Sequence, residues 1–356
     1  MLTVKYIQEL SLREQHMTMR KLRFRQFTLQ ILLALILLLS AIYLYVDSSS
    51  NVTANDIAKV AAVNKSNSSK INKSNVPTIG SFKFGMFSDE PFVGKDEKKI
   101  DAKLNIVGWF VHWNESMQSN KLKNACSFGY VPEITWETWV RAKGVDGNSN
   151  ILNEIVDGKY DKKINDDIDS ISKSCTDKTV LIRLNHEMET APNEPNRYYP
   201  WQGNPEMYIK AWKHIVNISR KKNKNIKYIW SPNRGNMYTS LYYPGEKNVD
   251  FVGLTLNHHG EIEHEFTTFQ SFYEPNKTVI ESFNKPIIIS ETAFTDTGNP
   301  ADKAAWIDSM FSYVQSNKKI TAVVWFNSVK AMRYDTSPES IQAFKDNLKQ
   351  INTGGK

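Results

Sequence analysis

Residues 179–190 read TVLIRLNHEMET, and the fold is decided here. Val180, Leu181, Ile182 and Leu184 form a short apolar run with no turn residue inside it, the pattern of a strand buried on both faces of a parallel sheet. Polar chemistry starts where the run stops, at Asn185, His186 and Glu187. Upstream, over residues 162–174, apolar side chains recur at spacings of three and four, and they do so again downstream over 205–221, as on one face of a helix. A helix, a buried strand, a polar loop and a second helix make one unit of a parallel sheet with crossover helices.

The unit repeats from Ser81 onward. Further strands are expected near 83–87, 105–111, 129–134, 227–230, 251–255, 286–290 and 321–326, with helices again at 300–316 and 337–348. Eight strands in about 270 residues predict a (β/α)8 barrel, whose sites are built at the C-terminal strand ends. Polar and aromatic residues gather at those ends: His112 and Trp113, Glu133 and Trp136, Asn185 to Glu187, Asn233, Asn257 and His258, then Glu291 in IIISETA. Any one of them is explained by a loop beginning there. Their convergence on one rim is not.

Outside the barrel, residues 27–46 read FTLQILLALILLLSAIYLYV, without a charge, long enough for the roughly 30 Å hydrocarbon core of a bilayer. Arg20, Lys21, Arg23 and Arg25 stand directly before this run, so the positive-inside rule puts residues 1–26 in the cytoplasm and everything after Val46 outside the cell. A cleaved signal peptide is the competing reading, but the run is longer than its apolar core and no persuasive cleavage site follows. Residues 47–80, rich in Asn, Ser and Lys, are expected to be a flexible linker, and the barrel domain to occupy 81–350.

The formal charge of +7 divides as +4 over 1–26, +2 over 47–80 and +1 over the rest, which removes the electrostatic ground for a nucleic-acid role of the barrel. Cys126 and Cys175 fit no metal or redox spacing; in an extracellular domain they could pair or stay separate. No nucleotide loop, metal cluster or Ser/His/Asp arrangement stands out, so no cofactor and no metal is expected. His258 and His259 are adjacent, a poor spacing for joint ligation, and read as solvent-facing loop residues.

Glu187 and Glu291 end the fourth and seventh strands, whose tips face one lumen. Cleavage of a glycosidic bond needs one carboxyl group to protonate the leaving oxygen and a second to attack the anomeric carbon or activate water. The acid needs a raised pKa, from burial and its partner's charge, whereas the nucleophile must stay ionised among donors. Arg183, Asn185 and His186 are the candidate donors, with Arg183 pointing into the barrel as a counter-charge. Strand-end tryptophans, Trp136 among them, are candidates for stacking on sugar rings.

Other stretches accompany the pair: VPEITWETW at 131–139, GKYD at 158–161, YYPW at 198–201, WSPN at 230–233, YPG and VDFVGLT between 243 and 255, and VVWFN at 323–327. With RLNHEMET, standing where that family carries HEMN, this series resembles glycoside hydrolase family 26, the group of β-mannanases and related β-glucan-cleaving enzymes, over most of 81–348. The resemblance implies that Glu187 is the acid/base and Glu291 the nucleophile, that cleavage retains anomeric configuration, and that His186, Trp201 and Trp325 line the subsite of the cleaved sugar. The family pattern carries a Tyr against the nucleophile after VGLT; this chain has Leu256, Asn257 and His258, and Asn257 is expected to donate from its amide with a shorter reach.

Together these features predict a membrane-anchored extracellular enzyme that cleaves a β-linked polysaccharide: β-mannan, β-glucan or an exopolysaccharide. The alternative is a catalytically silent barrel that binds polysaccharide during export or retention. Carboxyl groups about 5–5.5 Å apart favour hydrolysis; a much wider gap or a salt-bridged Glu291 favours the binder.

Overall fold

The computed structural model describes residues 82–88, 93–259 and 266–353. The expected tail at 1–26, membrane helix at 27–46 and linker at 47–80 lie outside the described residues. Among the described residues, no helix is long and apolar enough to cross a membrane.

Eight parallel strands close into a barrel in sequence order: β1 Lys83–Phe87, β2 Ile106–His112, β3 Val131–Glu137, β4 Val180–Leu184, β5 Ile226–Trp230, β6 Phe251–His258, β7 Ile287–Phe294 and β8 Ile320–Phe326. Pairing of β1 with β8, from Lys83 opposite Ala322 to Phe87 opposite Phe326, completes the ring. The helices between them are α1 Gly94–Ile100, α2 Ser119–Ser127, α3 Ile151–Val156, α4 Asp161–Ser174, α5 Pro205–Lys222, α6 Phe269–Tyr273, α7 Lys277–Glu281, α8 Pro300–Ser316 and α9 Pro338–Thr353. The last runs past the boundary expected at 350.

Local sequence explains the two longest crossover helices. Asn204 and Asn299 each stand before a proline, and their side chains accept from the backbone N–H of Met207 and Ala301; the proline at the first helical position gives up only a donor that would be orphaned there. Arg220, Lys221 and Lys222 sit in the last turn of α5, where the helix dipole favours cations. Inward faces of these helices bury Trp212, Ile215, Trp306, Ile307 and Met310 against the barrel wall.

Cys126 and Cys175 are joined by a disulfide, with Cα atoms 5.6 Å apart. It ties the end of α2 to the residue after α4, and a loop of this length, 49 residues, corresponds to about 4 kcal/mol of lost chain entropy in the unfolded state. β2, β3, β6 and β7 run past their expected ends, so His112, Trp136, Asn257, His258 and Glu291 stand inside strands rather than in the loops that follow.

Candidate active site

The C-terminal end of β4 is bent by its own backbone. Asn185 and Glu187 both adopt left-handed conformations, with φ of 43° and 53°, which cost energy for residues with a side chain and persist only where surroundings fix them. Fixing is extensive. Asn185 Oδ1 accepts from the Thr138 N–H at 2.9 Å, the Glu187 N–H donates to the Ser231 carbonyl at 2.8 Å, and the Glu187 carbonyl accepts from Gln202 Nε2 at 2.7 Å. Trp201 Nε1 donates to the His186 carbonyl at 2.7 Å. The YYPWQ segment thus clamps the backbone that carries His186 and Glu187.

Glu291 is aimed differently. Leu254 of β6 lies opposite Ile289 of β7, but Thr255 lies opposite Glu291, so Ser290 is an extra residue, a bulge. Side chains alternate along a strand, so with regular pleating through Ser290 Glu291 would share the outward face of Ile289 and Leu254; the bulge turns it into the lumen beside Thr255. There Glu291 Oε2 accepts from Arg183 Nη1 at 2.7 Å and Oε1 accepts from Asn257 Nδ2 at 2.9 Å.

Arg183, 1% exposed, is the hub. Besides Glu291 it donates through Nε to Ser231 Oγ at 3.0 Å and through Nη2 to Thr255 Oγ1, and Nη2 lies 3.9 Å from Glu187 Oε1. A Cβ on Gly253 would come within 2.7 Å of Ser231 Cβ, so only glycine leaves Ser231 its place under the guanidinium. Burial opposes the Arg183 charge, but Glu291, Glu187 and Glu133 outweigh it and raise its pKa. Glu187 is pushed up to about 7, first by burial and then by the charge of Glu291, against the pull of Arg183 and Thr255. Oxygens of Glu187 and Glu291 come within 4.8 Å of each other and of a His186 ring nitrogen. These three are the one group among the described residues that gathers ligand-type atoms so closely, and Arg183 already brings a cation into the same space.

A cavity of about 650 Å³ opens over the pair, lined by His186, Glu187, Asn257 and Glu291 together with Phe110, Glu137, Trp139, Tyr199 and Phe326. A second, of about 560 Å³, continues beyond Glu187 past Glu189, Gln202 and Asn236. Glu187, Tyr198, Tyr199, Asn233, Asn257 and His259 border both. Three expected lining residues are displaced. Trp201 is fully buried and stacks at 4.5 Å on Tyr199, which presents its ring to the cavity in its stead. Trp325 points outward, its Nε1 donating to the Met332 carbonyl and its ring packed on Trp306 and Phe344, because alternation along β8 gives the lumen to Phe326. Trp136 packs on Trp113 at 5.4 Å for the same reason, leaving the lumen to Glu137. His258 is another correction: it is buried within β6 and stacks on Phe294 at 4.0 Å, and only His259 is exposed.

Glu137 was passed over in the sequence, and Glu133 was read only as one of the polar strand-end residues. Glu137 holds His112 Nδ1 at 2.6 Å and stands 3.8 Å from His186 Nδ1; its hydrogen bond raises the His112 pKa, while burial and Arg183 hold His186 well below the ordinary range and neutral. Glu133 lies in the interior, pushed up to about 8 by burial. The signal for both was the alternation in VPEITWE, which puts Glu133, Thr135 and Glu137 on one face.

The family model described as glycosyl hydrolase family 26 matches residues 92–297, more than half of the chain. The chain belongs to that family. As a family 26 glycoside hydrolase it shares its fold with solved relatives of low identity. A β-mannanase from Bacteroides ovatus superposes with a TM-score of 0.56 at 14% identity, over 83% of this chain and 92% of its own. The catalytic domain of an endo-β-1,4-mannanase from Bacillus sp. JAMB-750 gives 0.58 at 17%, over 82% and 89%, and a family 26 protein from Muricauda sp. gives 0.56 at 14%, over 82% and 88%. No curated protein matches the sequence. The ion pair at Glu291 is the feature assigned above to a binding barrel; the short gap between the carboxyl groups is the one assigned to a hydrolase, and a nucleophile that must keep its charge also calls for such a partner.

Proposed function

We propose that the protein is an endo-acting, retaining β-glycanase, held on the outside of the cell by the apolar segment at 27–46. The observation that carries this reading is the pair itself: one carboxyl raised to about 7 within 4.8 Å of a second that takes charge-assisted hydrogen bonds from Arg183. Inverting enzymes separate their carboxyls by about 6.5–9.5 Å to admit a water.

In the first step Glu291 attacks the anomeric carbon as Glu187 gives its proton to the glycosidic oxygen; the C–O bond breaks and the leaving sugar departs. Glu187, now ionised, takes a proton from water, whose oxygen attacks the same carbon and frees Glu291. Cavities on both sides of Glu187 suit a chain threading through rather than ending there. A β-mannan is the first substrate to try, because the solved relatives are named as mannanases; β-glucan and a polysaccharide made by the same cell come next. Arg20, Lys21, Arg23 and Arg25 before the apolar segment and a disulfide in the barrel both favour an external domain.

The test is to incubate the full-length protein and its Glu187→Ala and Glu291→Ala forms with mannan, mixed-linkage β-glucan, xylan and the host's exopolysaccharide. Oligosaccharides should appear with the native protein alone. Release that survives both substitutions refutes the mechanism, and binding without release points to the silent barrel. Protease added to intact cells should remove the barrel; full protection would overturn the location.

A further inference from the structure

The stretch NHEMET carries a second glutamate that the mechanism does not use. Glu189 is 7% exposed, and it borders the second cavity but not the first. Its position is built. Asn236 Nδ2 donates to its carbonyl at 2.9 Å, and the N–H of Gly235, a residue in the left-handed region at φ 83°, donates to Oε1 at 3.3 Å. Oε2 has no hydrogen-bond partner. A buried polar atom left without one is unfavourable, so a residue of the cavity wall that keeps such an atom has a use for it when the cavity is filled.

The two cavities are not equivalent. Glu291 borders only the first, whereas Glu187 borders both. On the mechanism proposed above, the ring attacked by Glu291 occupies the first cavity, and the group that takes the proton from Glu187 lies beyond it, in the second. We infer that Glu189 is a binding residue for the sugar on the leaving-group side, its protonated carboxyl turning to donate to an oxygen of that sugar. Burial pushes Glu189 up to about 8, against the hydrogen bonds its carboxyl accepts from backbone N–H groups, so the carboxyl carries the proton it needs to donate at neutral pH. A neutral buried acid acting as a donor is a known device where a carboxylate could not serve.

This inference rests on the glycanase reading, and its test separates the two. The full-length protein, Glu189→Met and Glu189→Gln are compared on a hexasaccharide of the polymer that the wild type cuts and on a 4-nitrophenyl glycoside of the same sugar, whose leaving group has no sugar oxygen. Glu189→Met should lower kcat/KM about tenfold more on the hexasaccharide than on the aryl glycoside, mostly through KM. Glu189→Gln, which keeps a donor, should restore most of that loss at pH 6–7. The hexasaccharide KM of the wild type should rise above pH 8, where the proton leaves, and that of Glu189→Gln should not. A Glu189→Met ratio within twofold of wild type, or a wild-type KM as flat with pH as that of Glu189→Gln, overturns the inference while leaving the glycanase reading standing. If Glu189→Met does not fold, the pH comparison decides alone. If the wild type cuts no polymer, the glycanase reading has failed and takes the inference with it.

Discussion

The ends of β4 and β7 solve one problem by different means. At β4 the strand is over, and two left-handed residues swing Glu187 across the lumen; at β7 the strand continues, and the extra residue Ser290 rotates Glu291 inward. The first device leaves Glu187 at the junction of two cavities and clamps its backbone, with its carboxyl held by Thr255 and more distantly by Arg183. The second places Glu291 deep in the sheet with both oxygens bonded, to Arg183 and Asn257. Identical side chains therefore receive opposite electrostatic treatment, one pushed toward holding a proton and the other held among donors, and that difference allows a division of labour between them. Each arm of the comparison can be broken separately.

Removing the tethered carboxylate should have the largest effect. Glu291→Ala leaves no group to form the covalent bond and is expected to lower kcat on the order of 10⁵-fold, as loss of an enzymic nucleophile does. The measurement is product release at long incubation. A residual activity within tenfold of wild type would mean that Glu291 is only an ion-pair partner of Arg183.

Glu187→Ala should cost less, roughly 10²–10⁴-fold, and the loss should depend on the leaving group: large for a sugar, small for an activated phenol that departs without protonation. The pH profile supplies the sign. Because the reactive form of Glu187 carries a proton and its pKa is raised to about 7, kcat/KM should fall as pH climbs through 7. The same shift acts on stability: the folded protein keeps a proton that the unfolded chain releases above its ordinary 4.5, so stability falls between about 4.5 and 7. Glu187→Gln should flatten that part of the stability curve.

Arg183 joins the two arms, and Arg183→Met should unbalance both. Glu291 would be left buried without its counter-charge, a loss of about 3–5 kcal/mol in denaturant unfolding. Arg183 also holds the Glu187 pKa down, so any activity left should lose its alkaline limb at a higher pH than the wild type. A limb that stays in place would show that the guanidinium serves Glu291 alone.

Much of this arrangement was legible in the chain. The alternation of buried runs with helical periods gave eight strands, and the polar cluster after Leu184 gave Glu187 and the inward Arg183. What escaped had physical causes. A bulge has no local signature in IIISETA, since Ser290 is an ordinary strand residue there, so Glu291 was placed at a strand end that does not exist. Trp136 was read by type, as a ring that suits sugars, and Trp201 and Trp325 by the family resemblance, when strand parity and an indole N–H seeking a buried carbonyl decided their direction. Tyr199, two residues before Trp201, and Phe326, next to Trp325, took the cavity. The disulfide could not be read because 49 residues of intervening chain leave the distance between its ends unset.

Asn257 tests the finest part of the contrast. Its amide reaches Glu291 Oε1 at 2.9 Å, while its own Oδ1 has no hydrogen-bond partner, so the side chain is oriented by Glu291 and by little else. Asn257→Ala removes one neutral donor from a carboxylate that keeps its arginine, a loss of about 1–1.5 kcal/mol, or about a tenfold fall in kcat. If the amide only steadies the nucleophile, KM for the polymer should stay within a factor of about two, and the alkaline limb set by Glu187 should not move. If it also touches the sugar, as its place on both cavities permits, KM should rise together with the fall in kcat. The ratio of the two changes, measured on one polymer at pH 6, therefore tells whether the second donor on Glu291 belongs to the nucleophile or to the substrate.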